Sequence, residues 1–272
     1  MLIFGSSQLA SGSVDAGDAD WIFEGRQTSD HAYRAVGPGD MDGDGLPDLV
    51  QGAEGASGGL GQAYVFLGAS AATPGTYAVA DADDILSGEA SNSYAGLGLA
   101  AVGDVDLDGL DDVLVGSYGA SGAVGSYAGR AYLVTGAELT GTSGSLASTA
   151  LIIEGSMVDN MAGYGVGAAG DLDADGAPDL LVGGPGAAGL ATYGGGQVGV
   201  FLAASLPSSG VVLLDEADFG LVGTDTNEGV GRALPVRSIG DTDNDGTDDL
   251  VVGAPSYGGS TGRLLLQLGP LP

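Results

Sequence analysis

The residues best suited to chemistry in this chain are aspartates in a short acidic loop, GDTDNDGTDDLVVGAP at residues 240–255. Counting from Asp241, aspartates stand at positions 1, 3, 5 and 9 of the loop, and a glycine stands at position 6. Alternating carboxylates before a glycine can surround a hard cation with oxygen ligands, because the glycine allows the chain to turn sharply. The loop therefore predicts a cation site, and the apolar run that follows it predicts a strand.

The same loop occurs three more times in the chain. The other copies are GDMDGDGLPDLVQG at 39–52, GDVDLDGLDDVLVG at 103–116 and GDLDADGAPDLLVG at 170–183. Their first aspartates recur every 64 to 70 residues. A period of this length indicates an array of supersecondary units that stack on one another.

Each loop is expected to offer four carboxylates and the backbone carbonyl of position 7 to one ion. The predicted ligands are Asp40, Asp42, Asp44, Leu46 and Asp48; Asp104, Asp106, Asp108, Leu110 and Asp112; Asp171, Asp173, Asp175, Ala177 and Asp179; and Asp241, Asp243, Asp245, Thr247 and Asp249. Ligands that are all oxygen favour Ca²⁺ over Mg²⁺, which demands octahedral geometry and retains its waters. The chain has no cysteine and one histidine, which disfavours zinc. We therefore expect four Ca²⁺ ions per chain.

Two other loop classes do not fit this pattern. An EF-hand needs a bidentate glutamate at position 12, where this chain has Gln51, Val115, Val182 and Val252. No flanking stretch has helical periodicity, and the GGxGxD glycine repeats of calcium-binding β-rolls are absent from the sequence. The alternative is an acidic turn that binds no ion, but four copies at one period argue against it.

The composition limits the classes of partner. The chain has 36 acidic and 6 basic residues and a formal net charge of −30, which excludes nucleic acid and anionic membranes as natural partners. No apolar run approaches ~18 residues, so no membrane insertion is expected. The first residues lack the basic and apolar regions of a secretory signal. We expect a secreted or cell-surface protein whose signal was removed, or an excised piece of one.

The sequence between the loops predicts four strands per repeat. An apolar strand follows each loop, then come strands such as GQAYVFLG (61–68) and ILSG (85–88), and a further strand such as LGLAAVG (97–103) runs into the next loop. Four short strands in about 67 residues is the unit of a propeller blade. We predict an all-β propeller of four-stranded blades in one domain, 1–272. Its repeats cover approximately 1–32 (partial), 33–96, 97–163, 164–228 and 229–272 (partial).

The repeats resemble the FG-GAP repeat, the blade of the integrin α-subunit β-propeller. The GAP element is literal at Gly253-Ala254-Pro255 and recognisable at Gly183-Gly184-Pro185; the FG element survives as Tyr164-Gly165 and Leu97-Gly98 and is lost at Tyr33-Arg34 and Leu234-Pro235. The resemblance implies a Ca²⁺ loop between the first and second strands of each blade. It also implies that partners bind the opposite face.

These features predict a non-catalytic module for adhesion or protein–protein contact, with a protein or glycan ligand. Its binding loops are expected around 117–128, 184–195 and 254–261, and near 25–32 and 89–96. Tyr118, Tyr127, Tyr193 and Tyr257 lie in or beside these connections and suit either an interface or a cap over a strand edge. The alternatives are a carbohydrate-active propeller, working through a pair of free carboxylates, and an architectural segment of a long surface protein.

Three further expectations concern single residues and the ends of the chain. His31 is expected at the surface without a catalytic role, and Asp111 and Asp248, at position 8, are expected to point to solvent. WIFEG (21–25) resembles an outer strand, whereas the last unit lacks one. Pairing the two would close a ring of four blades, although Leu2–Gly5 and Leu264–Gly269 would then compete for one place. We favour an incomplete or two-chain arrangement that associates through open strand edges.

Overall fold

The protein is built almost entirely from short β-strands. The computed structural model describes residues 19–139, 141, 143–186, 194–225 and 228–267, and every structural statement below refers to these residues. Within them no helix is long and apolar enough to cross a membrane. The strands and helical turns are β1 (Trp21–Glu24), β2 (Arg34–Val36), β3 (Leu49–Ala53), α1 (Ala56–Gly59), β4 (Gln62–Phe66), β5 (Gly75–Ala78), β6 (Asp84–Ser87), β7 (Gly98–Gly103), β8 (Asp112–Ser117), β9 (Arg130–Val134), β10 (Gly144–Ser145), β11 (Leu151–Glu154), β12 (Gly165–Gly170), β13 (Asp179–Gly184), β14 (Gln197–Phe201), β15 (Gly210–Leu213), β16 (Phe219–Val222), β17 (Ala233–Ser238), β18 (Leu250–Ala254), α2 (Tyr257–Ser260) and β19 (Arg263–Gln267), with 3₁₀ turns at Val79–Asp81, Gly136–Glu138, Leu146–Ser148, Ala203–Ser205 and Leu214–Glu216.

The strands form successive antiparallel meanders, which we call units 1 to 4. Unit 1 runs β2-β3-β4-β6, unit 2 runs β7-β8-β9-β11, unit 3 runs β12-β13-β14-β16 and unit 4 runs β17-β18-β19. In each unit the first strand is innermost, and β6, β11 and β16 are the outer strands. These strands lie within the stretches that the repeat pattern predicts. The model thus has the antiparallel all-β sheets expected for this sequence.

Parallel strands also pass from units 2 and 3 to the unit before them. Within the connection between its third and outer strands, unit 2 contributes β10 to the edge of β6, and unit 3 contributes β15 to the edge of β11. In the same way β5 of unit 1 pairs with β1. These parallel strands are not among the four strands per repeat that the sequence predicts. Each added strand is short, and the partner that makes it a strand lies in a different repeat.

The hydrophobic core lies between units rather than inside one. Val65 of unit 1 packs with Val113 and Tyr132 of unit 2, and all three are fully buried. Comparable clusters join unit 2 to unit 3 and unit 3 to unit 4. The innermost strands β2, β7, β12 and β17 contact one another in that order. Each sheet is therefore apolar on both faces and depends on its neighbours for stability.

The outer-strand sequence near the start of the chain does not complete the last unit. Trp21–Glu24 pairs with β5, and the described part of unit 4 has three strands. Among the described residues β1 is thus not paired with β19, and how the array closes stays a prediction. Leu2–Gly5 and residues 268–269 lie outside the described residues.

Glycine in the second strand of a unit allows the next unit to approach closely. A Cβ atom added at Gly116 would lie 1.9 Å from the carbonyl oxygen of Gly163, and one at Gly52 would lie 2.1 Å from that of Gly96. Backbone atoms of two units therefore touch where any side chain would intervene. The glycine content of the chain serves this stacking as well as its turns.

We predict that Gly116→Ala destabilises the protein by about 1–3 kcal/mol, because the added methyl group forces two packed units apart. Gly75→Ala is the matched control, since its Cβ would meet nothing within 4 Å and Gly75 does not adopt a left-handed conformation. Chemical denaturation in calcium buffer measures both. Equal midpoints for the two variants would contradict the close approach.

Candidate metal centres

Each aspartate loop joins the first strand of a unit to the second and is folded by its own carboxylates. In the loop of unit 2, Asp104 accepts hydrogen bonds from the backbone N–H groups of Asp108 and Gly109, both at 2.9 Å. Asp106 accepts one from Asp108, and Asp108 accepts one from Leu110. The same bonds recur in the loops of units 1, 3 and 4. This bonding bends the chain around the carboxylates.

The bend requires left-handed backbone at positions 4 and 6 of every loop. Position 6 is always glycine, with φ between 85° and 98°. Position 4 is a residue with a side chain in three of the loops, where Leu107, Ala174 and Asn244 have φ of 58° to 60°. The glycine that the sequence pattern singled out therefore has a conformational reason.

Carboxylate oxygens converge in all four loops. Each loop contains three aspartates with one oxygen apiece, all within 4.8 Å of one another: Asp40, Asp42 and Asp48; Asp104, Asp106 and Asp108; Asp171, Asp173 and Asp179; and Asp241, Asp243 and Asp245. Positions 1 and 3 belong to every set, and either position 5 or position 9 completes it. Like charges at this separation repel one another, and a cation between them would remove the repulsion. Each set could therefore hold one cation.

The aspartate at position 9 is buried and ties the loop to the third strand of its unit. Asp112 is fully buried; one of its oxygens accepts from the N–H of Val105 at 2.8 Å and the other from the N–H of Gly136 at 3.0 Å. Asp48 and Asp179 make the equivalent pairs of bonds. Each oxygen keeps a second lone pair, so these bonds leave the carboxylate able to bind a cation.

Burial makes these carboxylates costly to ionise without a cation. Burial raises the pKa of Asp112 to about 7 and that of Asp179 to about 6, and the pKa of Asp48 is also raised. The pKa values of Asp106, Asp173 and Asp243 are raised as well, first by desolvation and then by the neighbouring carboxylates. A bound divalent cation would remove this cost by favouring the charged form.

The structure does not test whether any of the predicted ligands binds a cation, and the remaining ones lie in the same loops. Asp44 and Asp175, at position 5, accept hydrogen bonds from the N–H groups of position 7. Asp249, at position 9, accepts from the backbone N–H and the hydroxyl of Thr242. The carbonyls of position 7 belong to Leu46, Leu110, Ala177 and Thr247. Their coordination of a cation stays a prediction.

Position 8 differs from the sequence expectation. Asp111 accepts a hydrogen bond from the N–H of Asp40 at 2.9 Å, and its own N–H donates to the carbonyl of Asp40. Asp248 accepts from Ser238 and packs against Gly170, which precedes the loop of unit 3. These side chains do not simply point to solvent. Each contacts the loop of the preceding unit, because stacking brings consecutive loops together.

Aromatic side chains lie at the opposite ends of the strands. The rings of Tyr94 and Tyr118 are stacked with centroids 5.1 Å apart, and Tyr118 also contacts Tyr164 at 5.0 Å. The guanidinium of Arg232 lies 5.8 Å from the ring centre of Tyr164. We call these four residues the tyrosine cluster. It joins units 2, 3 and 4 in one half-exposed surface, and burial raises the pKa of Tyr118 to about 12.

The other aromatic and histidine side chains singled out from the sequence add little to a candidate site. The Arg263 guanidinium lies 4.2 Å from the ring centre of Tyr257, so this ring covers the start of β19. The His31 side chain is 56% exposed, and its Nδ1 lies 3.5 Å from a Glu54 oxygen. It is a surface histidine, as expected. Tyr193 and residues 187–193 lie outside the described part of the chain.

Comparison with known proteins agrees with this architecture. The model of the FG-GAP repeat matches residues 32–66 and 238–266, which include the loops of units 1 and 4. Integrin alpha-5 of Xenopus laevis is 28% identical over 170 residues, which are 59% of this chain and 15% of that protein. The chain is thus similar to the FG-GAP repeat in two places and to an integrin α subunit. It spans only a small part of that relative's length.

We predict that stability depends on pH differently with and without calcium. In EDTA, stability should fall between about pH 4 and pH 7, because the raised pKa of folded Asp112 and Asp179 makes the folded state bind more protons than the unfolded state. That contribution is complete below the unfolded value and is lost as the pH passes about 6 to 7. In calcium a bound cation would keep these carboxylates ionised, so the decline should be absent.

The measurement is chemical denaturation at several pH values in EDTA and in excess Ca²⁺. The stabilisation by calcium should increase with pH, since protons compete for the same oxygens. Asp112→Asn, which carries no charge at any pH, should flatten the decline seen in EDTA. Parallel pH curves in the two buffers would show that the buried carboxylates and the cation are not linked.

Proposed function

We propose that the chain is a calcium-stabilised β-propeller module of a secreted or cell-surface protein, without catalytic activity, that mediates adhesion or protein–protein contact. The observation that carries the proposal is the convergence of three carboxylates in each of four equivalent loops at one end of the stacked units. The similarity to FG-GAP repeats and to an integrin α subunit supports the adhesive class and the extracellular setting. The same similarity points to a non-enzymatic domain.

Calcium suits the loops better than other common cations. The donors are carboxylates and backbone carbonyls, which hard cations prefer, and the cavity of a flexible loop tolerates the irregular coordination of Ca²⁺. At about 1 mM Ca²⁺, a site with a dissociation constant of about 10 μM would add roughly 2.7 kcal/mol. Four such sites would rival the total stability of an ordinary domain, about 5–15 kcal/mol.

The partner is proposed to bind the face opposite the calcium loops. The connections there bring together the tyrosine cluster from three units. Tyrosine and arginine are enriched where binding energy concentrates. Tyrosine buries a large area with only two rotatable bonds. A rigid sheet scaffold that presents such loops is a common arrangement for recognition. The ligand is a protein or a glycan.

The calcium prediction is tested with the single variant Asp243→Ala. Calorimetric titration of the unmodified chain should give four Ca²⁺ per chain, and EDTA should lower the melting temperature. Asp243→Ala should lose one site and expose mainly unit 4 to hydrogen exchange, because each unit contacts chiefly its neighbours. Asp215→Ala, which removes an exposed carboxylate outside the loops, is the control. A melting temperature unaffected by EDTA, or loss of protection spread evenly over all units, contradicts the proposal.

The partner prediction is tested by a glycan and protein binding screen with and without Ca²⁺. For any ligand found, Tyr118→Ala should weaken binding by about tenfold or more, because Tyr118 contacts both other rings of the cluster. Val211→Ala changes an exposed side chain on the outer strand β15 and should leave binding unchanged. A footprint over the aspartate loops would place the site elsewhere. Cleavage of a glycan would favour the carbohydrate-active alternative.

A further inference from the structure

The third strand of each unit carries two apolar residues that face the next unit. In unit 1 they are Ala63 and Val65, and the equivalent pairs in units 2 and 3 are Ala131 with Leu133 and Val198 with Val200. All six side chains are at most 5% exposed, because the following unit covers them. We call this side of a unit its trailing face. Its apolar pair is a constant feature of the junctions between units.

Unit 4 has the same trailing face with no unit described against it. The register of β19 on β18 makes Leu264 and Leu266 the equivalents of the buried pairs. These two leucines are 64% and 56% exposed. Two large neighbouring apolar side chains at this exposure are unusual on a monomer surface and indicate an interaction site.

At the opposite end of the array, unit 1 has an incompletely covered face that complements the trailing face. In units 2, 3 and 4 the second-strand residues Val113, Leu180 and Leu250 face the preceding unit and are fully buried. Their equivalent in unit 1, Leu49, is only half-buried. It lines two adjoining cavities of about 580 and 430 Å³ together with Phe23. We call these cavities the leading groove.

A buried polar atom on β19 also lacks the partner that its equivalent has. In unit 2, Nε of Arg130 donates to Glu154 at 2.9 Å, and Glu154 ends the outer strand paired with β9. Arg263 is the equivalent of Arg130, it contacts Glu228, and its Nε is buried without a hydrogen-bond partner among the described residues. Among the outer-strand sequences, β1 ends in a glutamate at the position of Glu154, namely Glu24.

We propose that the trailing face of unit 4 docks into the leading groove of unit 1 of a second copy of this chain, head to tail. Leu264 and Leu266 would then enter the groove beside Leu49, as the equivalent pairs do at every internal junction. Glu24 of one copy would lie near Arg263 of the other and supply the acceptor that Nε lacks. The contact reuses an interface that the chain already forms between its own units.

Within one chain the structure does not bring these two surfaces together. The innermost strands contact one another from β2 to β17 in order, and β1 pairs with β5. A second copy supplies both missing surfaces at once. A head-to-tail contact is heterologous, so two copies can close into a ring of eight blades, which lies within the range of 4–8 known for propellers.

The association is tested by light scattering of the full chain in calcium over a range of concentrations. The expected mass is twice 26.3 kDa or a higher multiple. The double substitution Leu264→Asp and Leu266→Asp should give the monomer mass with an unchanged far-ultraviolet spectrum, because both side chains are exposed within one copy. Val211→Asp, also on an exposed strand position, should associate like the unmodified chain. A strictly monomeric unmodified chain overturns the proposal.

Cross-linking tests the orientation, and the absence of cysteine in the natural chain makes it direct. Copies carrying Leu266→Cys are mixed with copies carrying Leu49→Cys in the presence of a short bis-maleimide. The mixture should give cross-linked dimers, and neither variant alone should. Dimers from Leu266→Cys alone would show a symmetric contact and overturn the proposal. So would a double variant that cross-links only within one chain, because unit 4 would then close on unit 1 of the same copy.

Discussion

The fold depends on a buried carboxylate whose negative charge must be compensated. In units 1, 2 and 3 the aspartate at position 9 of the loop lies beneath the surface and accepts hydrogen bonds from two separate pieces of backbone, one in its own loop and one just after the third strand. Burying an unpaired charge is expensive. Two N–H donors lower that cost, but the raised pKa of Asp112 shows that they do not remove it. A cation held by the outer carboxylates of the loop would complete the compensation.

This constraint links the chemistry of the loops to the geometry of the stack. A loop fixed by its aspartate sets where the second and third strands of a unit begin and end. Contacts between consecutive loops, such as Asp111 with the backbone of Asp40, carry that position to the next unit. The tyrosine cluster lies on the opposite face, at the other ends of the same strands. Its position therefore depends on the aspartate loops that fix these strands.

The sequence predicts what is local and repeated. The loop residues, the strand after each loop and the outer strands ending in glycine all follow from short patterns seen several times, and the structure places strands there. Long-range features could not be read in this way. β15 is a four-residue segment whose pairing partner, β11, belongs to the preceding repeat. Asp111 was expected in solvent, but it contacts Asp40, which is distant in the chain and near only after the units stack.

The parallel strands that pass from one unit to the one before it also imply an order in which the units are completed during synthesis. During synthesis the outer strand β6 has an open edge until the chain of unit 2 has reached β10, and β11 waits for β15 in the same way. Units 1 and 2 are thus each completed by the unit that follows, not by their own residues alone. Folding that follows the ribosome would leave one newly made edge exposed at any moment, which limits the strand surface open to aggregation.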